Sequence, residues 1–238
     1  LGLGQVYNLP LTGLSKGFVP TKKWKKERFG TSWLVGDTLN VGIGQGFSLA
    51  TPLQLAVMTA RLASGKEVIP NIIKNSNKNT DNPKALLIKE NTLVAIRRGM
   101  FDVLNEKEGT AFNFRTTDEN FLIAGKTGTS QVRRITREER EEGVIKNEDL
   151  PWKMRDHALF TCFAPFKDPK YALSVVVEHG GSGSKVAAPI ARDIMLFQLY
   201  QGIPPITAYP EKQQLEVRNR LMDIEKKITS KNNINKNI

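Results

Sequence analysis

Two apolar runs, "HALFTCFAPF" at 157–166 and "YALSVVVEHG" at 171–180, stand on either side of the short turn "KDP". Runs of this length, rich in β-branched and aromatic residues and joined by so short a link, suggest an antiparallel hairpin. A third strand candidate, "FLIAGKTGT" at 121–129, is set apart from the pair by the charge-dense "RRITREEREEGVIKNED". Helical signals surround these strands. In "TPLQLAVMTARLASG", Thr51 can cap, Pro52 suits the first helical position and Gln54 completes a capping box. Leu53, Ala56, Val57 and Ala60 then share one face, and Gly65 suits the exit. A polar loop, "NSNKNTDNP", leads to a second helix beginning near Asn91, with Leu93, Ile96, Met100 and Leu104 as its apolar stripe. A third helix is predicted over 188–201, with Pro189 near its start and Gly202 past its end. The stretch 211–228 gives a modest amphipathic helix, and the low-complexity "KKITSKNNINKNI" is expected to be disordered. Residues 1–50, rich in glycine and proline, read as loops with short extended pieces. The fold class expected is α+β, an antiparallel sheet covered by helices.

A chain of 238 residues can bury one substantial core or two small ones. No stretch approaches the run of about 18 apolar residues that a membrane span needs. The opening "LGLGQVYNLP" has no Met, basic region or apolar run, so no signal peptide or anchor is expected within these residues. A processed product, a shortened chain or a piece of a longer protein would all begin in this way. The single Cys162 lies in an apolar run and reads as a buried, unreactive thiol that cannot form an internal disulfide. The net charge of +11 favours anionic surroundings, but it is scattered, with one cluster at "KKWKKER" and more lysines from Lys226 onward. The arm after the third strand candidate mixes both signs and reads as solvated.

The run 121–132, "FLIAGKTGTSQV", invites two chemistries. A phosphate-cradling loop needs G-x-x-x-x-G-K-[ST], yet the position of its first glycine is Asn120, and "FLIA" between is an apolar strand. Such a loop also opens into a helix, whereas "TGTSQV" continues as a strand. The nucleotide reading fails on both counts. The alternative uses the extended geometry. In a strand Thr127 and Thr129 point to one face, while Gly128 between them lets a ligand backbone lie close. With Lys126 adding a cation, these groups make a receptor for a carboxylate and a developing oxyanion. As a bare tripeptide K-T-G is weak, and a strand entering a turn is the bland reading.

The neighbouring segments carry more. "PTKKWKKERFGTSWLVGDTLNVGIGQGFSLATPLQLA" (20–56), "EGTAF" (108–112), "AGKTGTSQV" (124–132), "RDHALFTCFAPF" (155–166) and "VVVEHGGSGSKVAAPIARDI" (175–194) follow one another in a fixed order. In that order they resemble the class B penicillin-binding proteins of cell elongation, the penicillin-binding protein 2 type, over about residues 1–205. The resemblance implies the penicillin-binding protein/serine β-lactamase-like transpeptidase fold, in part. It makes 1–206 the C-terminal portion of a transpeptidase domain and 207–238 a basic, partly disordered tail. The implied reaction is attack by a serine on the D-Ala–D-Ala bond of a peptidoglycan stem peptide, followed by transfer of the acyl group to a neighbouring amine. Lys126 would help orient proton transfer and attract the substrate carboxylate, which Thr127 and Thr129 would hydrogen-bond. Thr129 N–H would supply one oxyanion-hole donor, and Gly128 would leave room for the acyl chain. Implied partners are stem peptides, β-lactams bound covalently through the serine, a membrane glycosyltransferase and the elongation machinery. The implied setting is the periplasmic face of a bacterial inner membrane, with no cofactor, metal or nucleic acid.

This sequence departs from the family pattern by lacking S-x-x-K and S-x-N ahead of K-T-G. "SGSK" (182–185) has the right letters but follows K-T-G in a glycine-rich turn, so Ser182 reads as a turn residue. "TDN" (80–82) lies in a polar loop, again out of order. These residues alone are therefore expected neither to acylate with penicillin nor to cross-link. A β-lactamase is disfavoured by the 20–56 match. Two further alternatives are a non-catalytic remnant kept as an interaction surface and a basic nucleic-acid-binding module. "VGIGQG" (41–46) lacks dinucleotide-loop spacing and reads as a tight loop near the floor of the site. His157, His179, Asp156 and Cys162 have no zinc spacing, and a structural hydrogen bond is expected for His157.

Overall fold

The computed structural model describes residues 1–73, 83–133 and 135–235. The T-D-N triplet at 80–82, and most of the polar loop around it, lie outside the described residues. Three strands form one sheet in the order β1-β2-β3: β1 (Ala124–Ser130), β2 (His157–Ala164) and β3 (Tyr171–Val177). Both pairings are antiparallel, and Cys162 sits between Gly125 and Leu173 at the middle of the register. The hairpin expected around "KDP" is present, entered through a cis Ala164–Pro165 peptide. The first strand is shorter than expected: residues Glu119–Phe121 make a 3-10 turn, and extended pairing begins only at Ala124.

Residues 1–50, expected as loops and extended pieces, hold two short helices, α1 (Lys22–Phe29) and α2 (Val35–Gly42). Their stop and start signals are local. Thr21 Oγ1 accepts from Trp24 N at 3.1 Å to open α1, and Asp37 Oδ2 accepts from Leu34 N at 2.7 Å to open α2. Lys25 then ion-pairs with Asp37 and ties the two helices together. This pairing and hydrogen bond hold the Asp37 carboxyl below the usual carboxylate range. The glycine and proline around them had hidden this packing from composition.

The helix expected at Thr51 is α3 (Pro52–Ser64), with the capping box between Thr51 and Gln54 and Gly65 at φ 70° closing it. Gln54 does more than cap. Its buried Nε2 donates to Gln5 O and Lys16 O, both at 2.8 Å, pinning the N-terminal loops onto the helix. Burial therefore runs round most of α3, including Thr59, Arg61 and Leu62, rather than along the single expected face. The second helix, α4 (Glu90–Asn105), buries Leu93, Met100 and Leu104 as its stripe requires. Asn105 Nδ2 bridges Phe101 O and Ile123 O at 2.8 and 3.0 Å, fastening α4 to the lead-in of β1.

The charged arm contains a short exposed helix, α5 (Arg137–Glu142), capped by Thr136 and braced by Arg133 on Glu139 at 2.7 Å and Arg137 on Glu141 at 2.9 Å. After β3 a single π-type turn (Gly183–Ala187) leads into α6 (Ala188–Tyr200), and α7 (Glu211–Asn235) follows. The backbone of α7 runs past residue 228 into the low-complexity stretch. Leu196, Tyr209 and Val217 close the contact between α6 and α7.

The alternation of β2 divides the core. Ala158, Phe160, Cys162 and Ala164 join Ala188, Ala191 and Met195 under α6. Phe163 turns the other way, against Ala63 of α3 and Met100 of α4. Each large side chain buried here contributes roughly 1.5–3 kcal/mol. Helices thus cover both faces of a sheet whose β1 edge carries no further strand among the described residues.

Candidate active site

The K-T-G residues occupy this free edge. Burial falls off along β1: Ala124 and Gly125 are buried, Thr127 and Gly128 half-buried, Lys126, Thr129 and Ser130 exposed. The register opposes Thr127 to Phe160 and Thr129 to Ala158, so both hydroxyls belong to the α6 face. Lys126 and Gly128 alternate to the other face, opposite Thr161 and Leu159. The lysine nonetheless returns to the threonines by curling round the edge. Its Nζ donates to Thr127 O at 2.8 Å and to Thr127 Oγ1 at 3.3 Å. The structure thus brings Lys126 and Thr127 into contact, while Thr129 stands one pleat further on.

The main chain follows the same logic. In an antiparallel strand the N–H and C=O of one residue point to the same side. Thr127 O is taken by Lys126, and Thr129 O accepts from Gln45 Nε2 at 3.1 Å. The main-chain groups of both threonines therefore turn away from β2 towards the free edge, and Thr129 N–H is among them. A side chain on Gly128 would place its Cβ 3.3 Å from Leu159 Cβ, a tight contact on the face away from the hydroxyls.

Two residues reach this edge that sequence reading did not single out. Thr110 Oγ1 lies 3.1 Å from Thr127 Oγ1, with either hydroxyl able to donate. Its only signal was membership of the "EGTAF" segment. Gln45 comes from the loop after α2, where Gly44 and Gly46 both take φ above 70° and let the chain fold back onto Asn40 O. The glycine pattern marked this loop, but nothing in it named the glutamine as the residue reaching β1.

An ammonium, two hydroxyls on one face and an outward N–H make a surface suited to a carboxylate. Acyl transfer also needs a nucleophile. Ser182 Oγ accepts from Lys185 N at 3.3 Å and lies 3.2 Å from Ser184 Oγ, so it caps the π-type turn. Of the two histidines, His157 Nδ1 accepts from His179 N at 2.9 Å and His179 Nδ1 bonds Arg155 O at 2.9 Å. They tie the end of the charged arm to the end of β3. Cys162 is fully buried, and burial pushes its thiol up to about 12.

A family model described as the penicillin binding protein transpeptidase domain matches residues 1–196. The peptidoglycan D,D-transpeptidase MrdA of Haemophilus influenzae is 36% identical over 217 residues, covering 87% of this chain and 33% of that protein. The protein of the same name from Escherichia coli K12 is 30% identical over 194 residues, covering 78% and 30%. Among solved structures, a complex between penicillin-binding protein 2 and MreC from Helicobacter pylori superposes with a TM-score of 0.69 at 37% identity, covering 84% of this chain and 34% of that one. Penicillin-binding protein 2 of Pseudomonas aeruginosa, in complex with WCK 5153, gives 0.66 at 34% identity, covering 88% and 44%. The chain spans about a third of the length of the curated relatives it matches.

Proposed function

Since this chain belongs to the penicillin-binding protein transpeptidase family, we propose that it supplies the K-T-G strand of a peptidoglycan D,D-transpeptidase. The observation that carries this reading is the free edge of β1, where the Lys126 ammonium, the Thr127 hydroxyl and the outward main chain of Thr129 lie together. The terminal carboxylate of a stem peptide binds the two threonine hydroxyls, with Lys126 balancing its charge. That pose sets the scissile carbonyl over the Thr129 N–H. A serine from an S-x-x-K segment attacks the carbonyl; its O–C bond forms, the peptide C–N bond breaks and D-Ala leaves. An amine of a second stem peptide then displaces the serine oxygen and completes the cross-link. Thr129 N–H steadies the oxyanion in both steps, a contribution of the order of 10²–10³ in rate for one such donor.

The substrate is thus a wall stem peptide, and β-lactams acylate the same serine. The protein partners proposed are an MreC-like elongation protein, as in the Helicobacter pylori complex, and a membrane glycosyltransferase. The proposed place is the periplasmic face of the inner membrane. Among the described residues no helix is long and apolar enough to cross a membrane.

The test is fluorescent-penicillin labelling followed by denaturing electrophoresis. Residues 1–238 alone should carry no covalent label, since their one S-x-x-K is the capped turn at Ser182. A chimera joining them to the preceding part of the Haemophilus influenzae relative should be labelled. Label on the chain alone, or none on a folded chimera, contradicts the proposal.

A further inference from the structure

A cavity of about 710 Å³ lies on a flank of α6, between α6, the first turns of α7 and the turn at Asn113–Phe114. Its size falls in the range of small-ligand sites. Four cations line it: Lys185, Arg192, Lys212 and Arg220. The acids close by are fewer. Glu216 lines the wall, and Asp193 is already engaged by Arg192 Nε at 3.0 Å and Arg220 Nη2 at 2.9 Å.

Arg192 is the telling residue. It is 2% exposed, and its guanidinium carbon lies 4.7 Å from the Tyr209 ring centroid and 5.9 Å from that of Phe114. Burying a guanidinium is costly unless its donors are met. Of its five N–H donors, one goes to Asp193 and one to Gln213 Oε1 at 2.6 Å. Its Nη2 makes no hydrogen bond among the described residues and is not among their buried unpaired atoms, so this nitrogen is open on a side chain that lines the cavity. The aromatic flanks and the Gln213 contact fix the planar fork, so it is oriented before any ligand arrives. Lys185 and Lys212 carry no ion pair among the described residues and stand exposed at the wall. The first turn of α7, which supplies Lys212 and Gln213, adds the positive end of a helix dipole.

We propose that this cavity binds a small multivalent oxyanion, phosphate- or carboxylate-bearing, with Arg192 as the buried fork and Lys185 and Lys212 as outer cations. The site is separate from the K-T-G edge and does not depend on the transpeptidase reading. The test is calorimetric titration of the 238-residue chain at fixed ionic strength with pyrophosphate, with citrate and with chloride as control. Saturable binding of pyrophosphate or citrate is expected, and the tighter of the two identifies the oxyanion chemistry. Loss of one charge-assisted contact should weaken it about tenfold, so Lys185→Ala with Lys212→Ala, both on exposed residues, should weaken it at least that much. Binding equal to chloride, or binding unchanged in the double variant, overturns the proposal.

Discussion

The middle of β2 and the C-terminal half of β1 lie on hydrogen-bonded strands and have opposite characters. Phe160, Cys162 and Phe163 are at most 1% exposed and touch helices on both faces. Lys126, Thr129 and Ser130 are exposed, and their strand has a free edge. The difference shows how one sheet separates two tasks. The paired strand holds the helices together through apolar area, while the edge strand keeps its polar groups available. Stability and chemistry should therefore respond to different substitutions only two or three residues apart in register.

The largest effect should come from the centre. Phe160→Ala removes a buried ring shared by β1, β2 and α6, and should cost about 3–5 kcal/mol in chemical denaturation. A loss below about 1 kcal/mol would mean that the sheet centre is not what holds the fold. The glycines of β1 sharpen the contrast within one strand. A Cβ on Gly125 would lie 2.5 Å from Phe160 Cζ and 2.7 Å from Thr161 O, whereas one on Gly128 would lie 3.3 Å from Leu159 Cβ. Gly125→Ala should lose about 1–3 kcal/mol, and Gly128→Ala clearly less. Equal losses would erase the distinction. Smaller still is the effect at Cys162, where no substitution is needed. With its thiol pushed up to about 12 by burial, it should react with thiol reagents at pH 8 only as the protein unfolds. Reaction at the rate of a free thiol in native buffer would show that the centre opens.

Much of this division could be read from the residues. Alternation in 157–166 assigns opposite faces to His157 and Cys162, and the Thr51–Gln54 box with Gly65 sets both ends of α3. The short helices α1 and α5 escaped because neither has an apolar stripe. Charge pairs and caps between residues a few positions apart hold them, and these become visible only when the chain is folded. The K-T-G residues were legible as a strand with two threonines on one side. Thr110 and Gln45 were not, since they reach β1 across 17 and 84 residues of sequence. Lys126 was expected beside the threonines as an added cation; what the folded chain adds is the route, since its side chain starts on the opposite face of β1 and bends round the free edge to reach Thr127.

The account is tested most directly by Lys126→Ala in the chimera that carries an upstream S-x-x-K, measuring the acylation rate with fluorescent penicillin beside the unfolding midpoint. An exposed edge lysine should leave stability within about 0.5 kcal/mol, while acylation should fall by about a hundredfold or more. Acylation at the unchanged rate, or a loss explained entirely by unfolding, would contradict the claim that this edge does the chemistry.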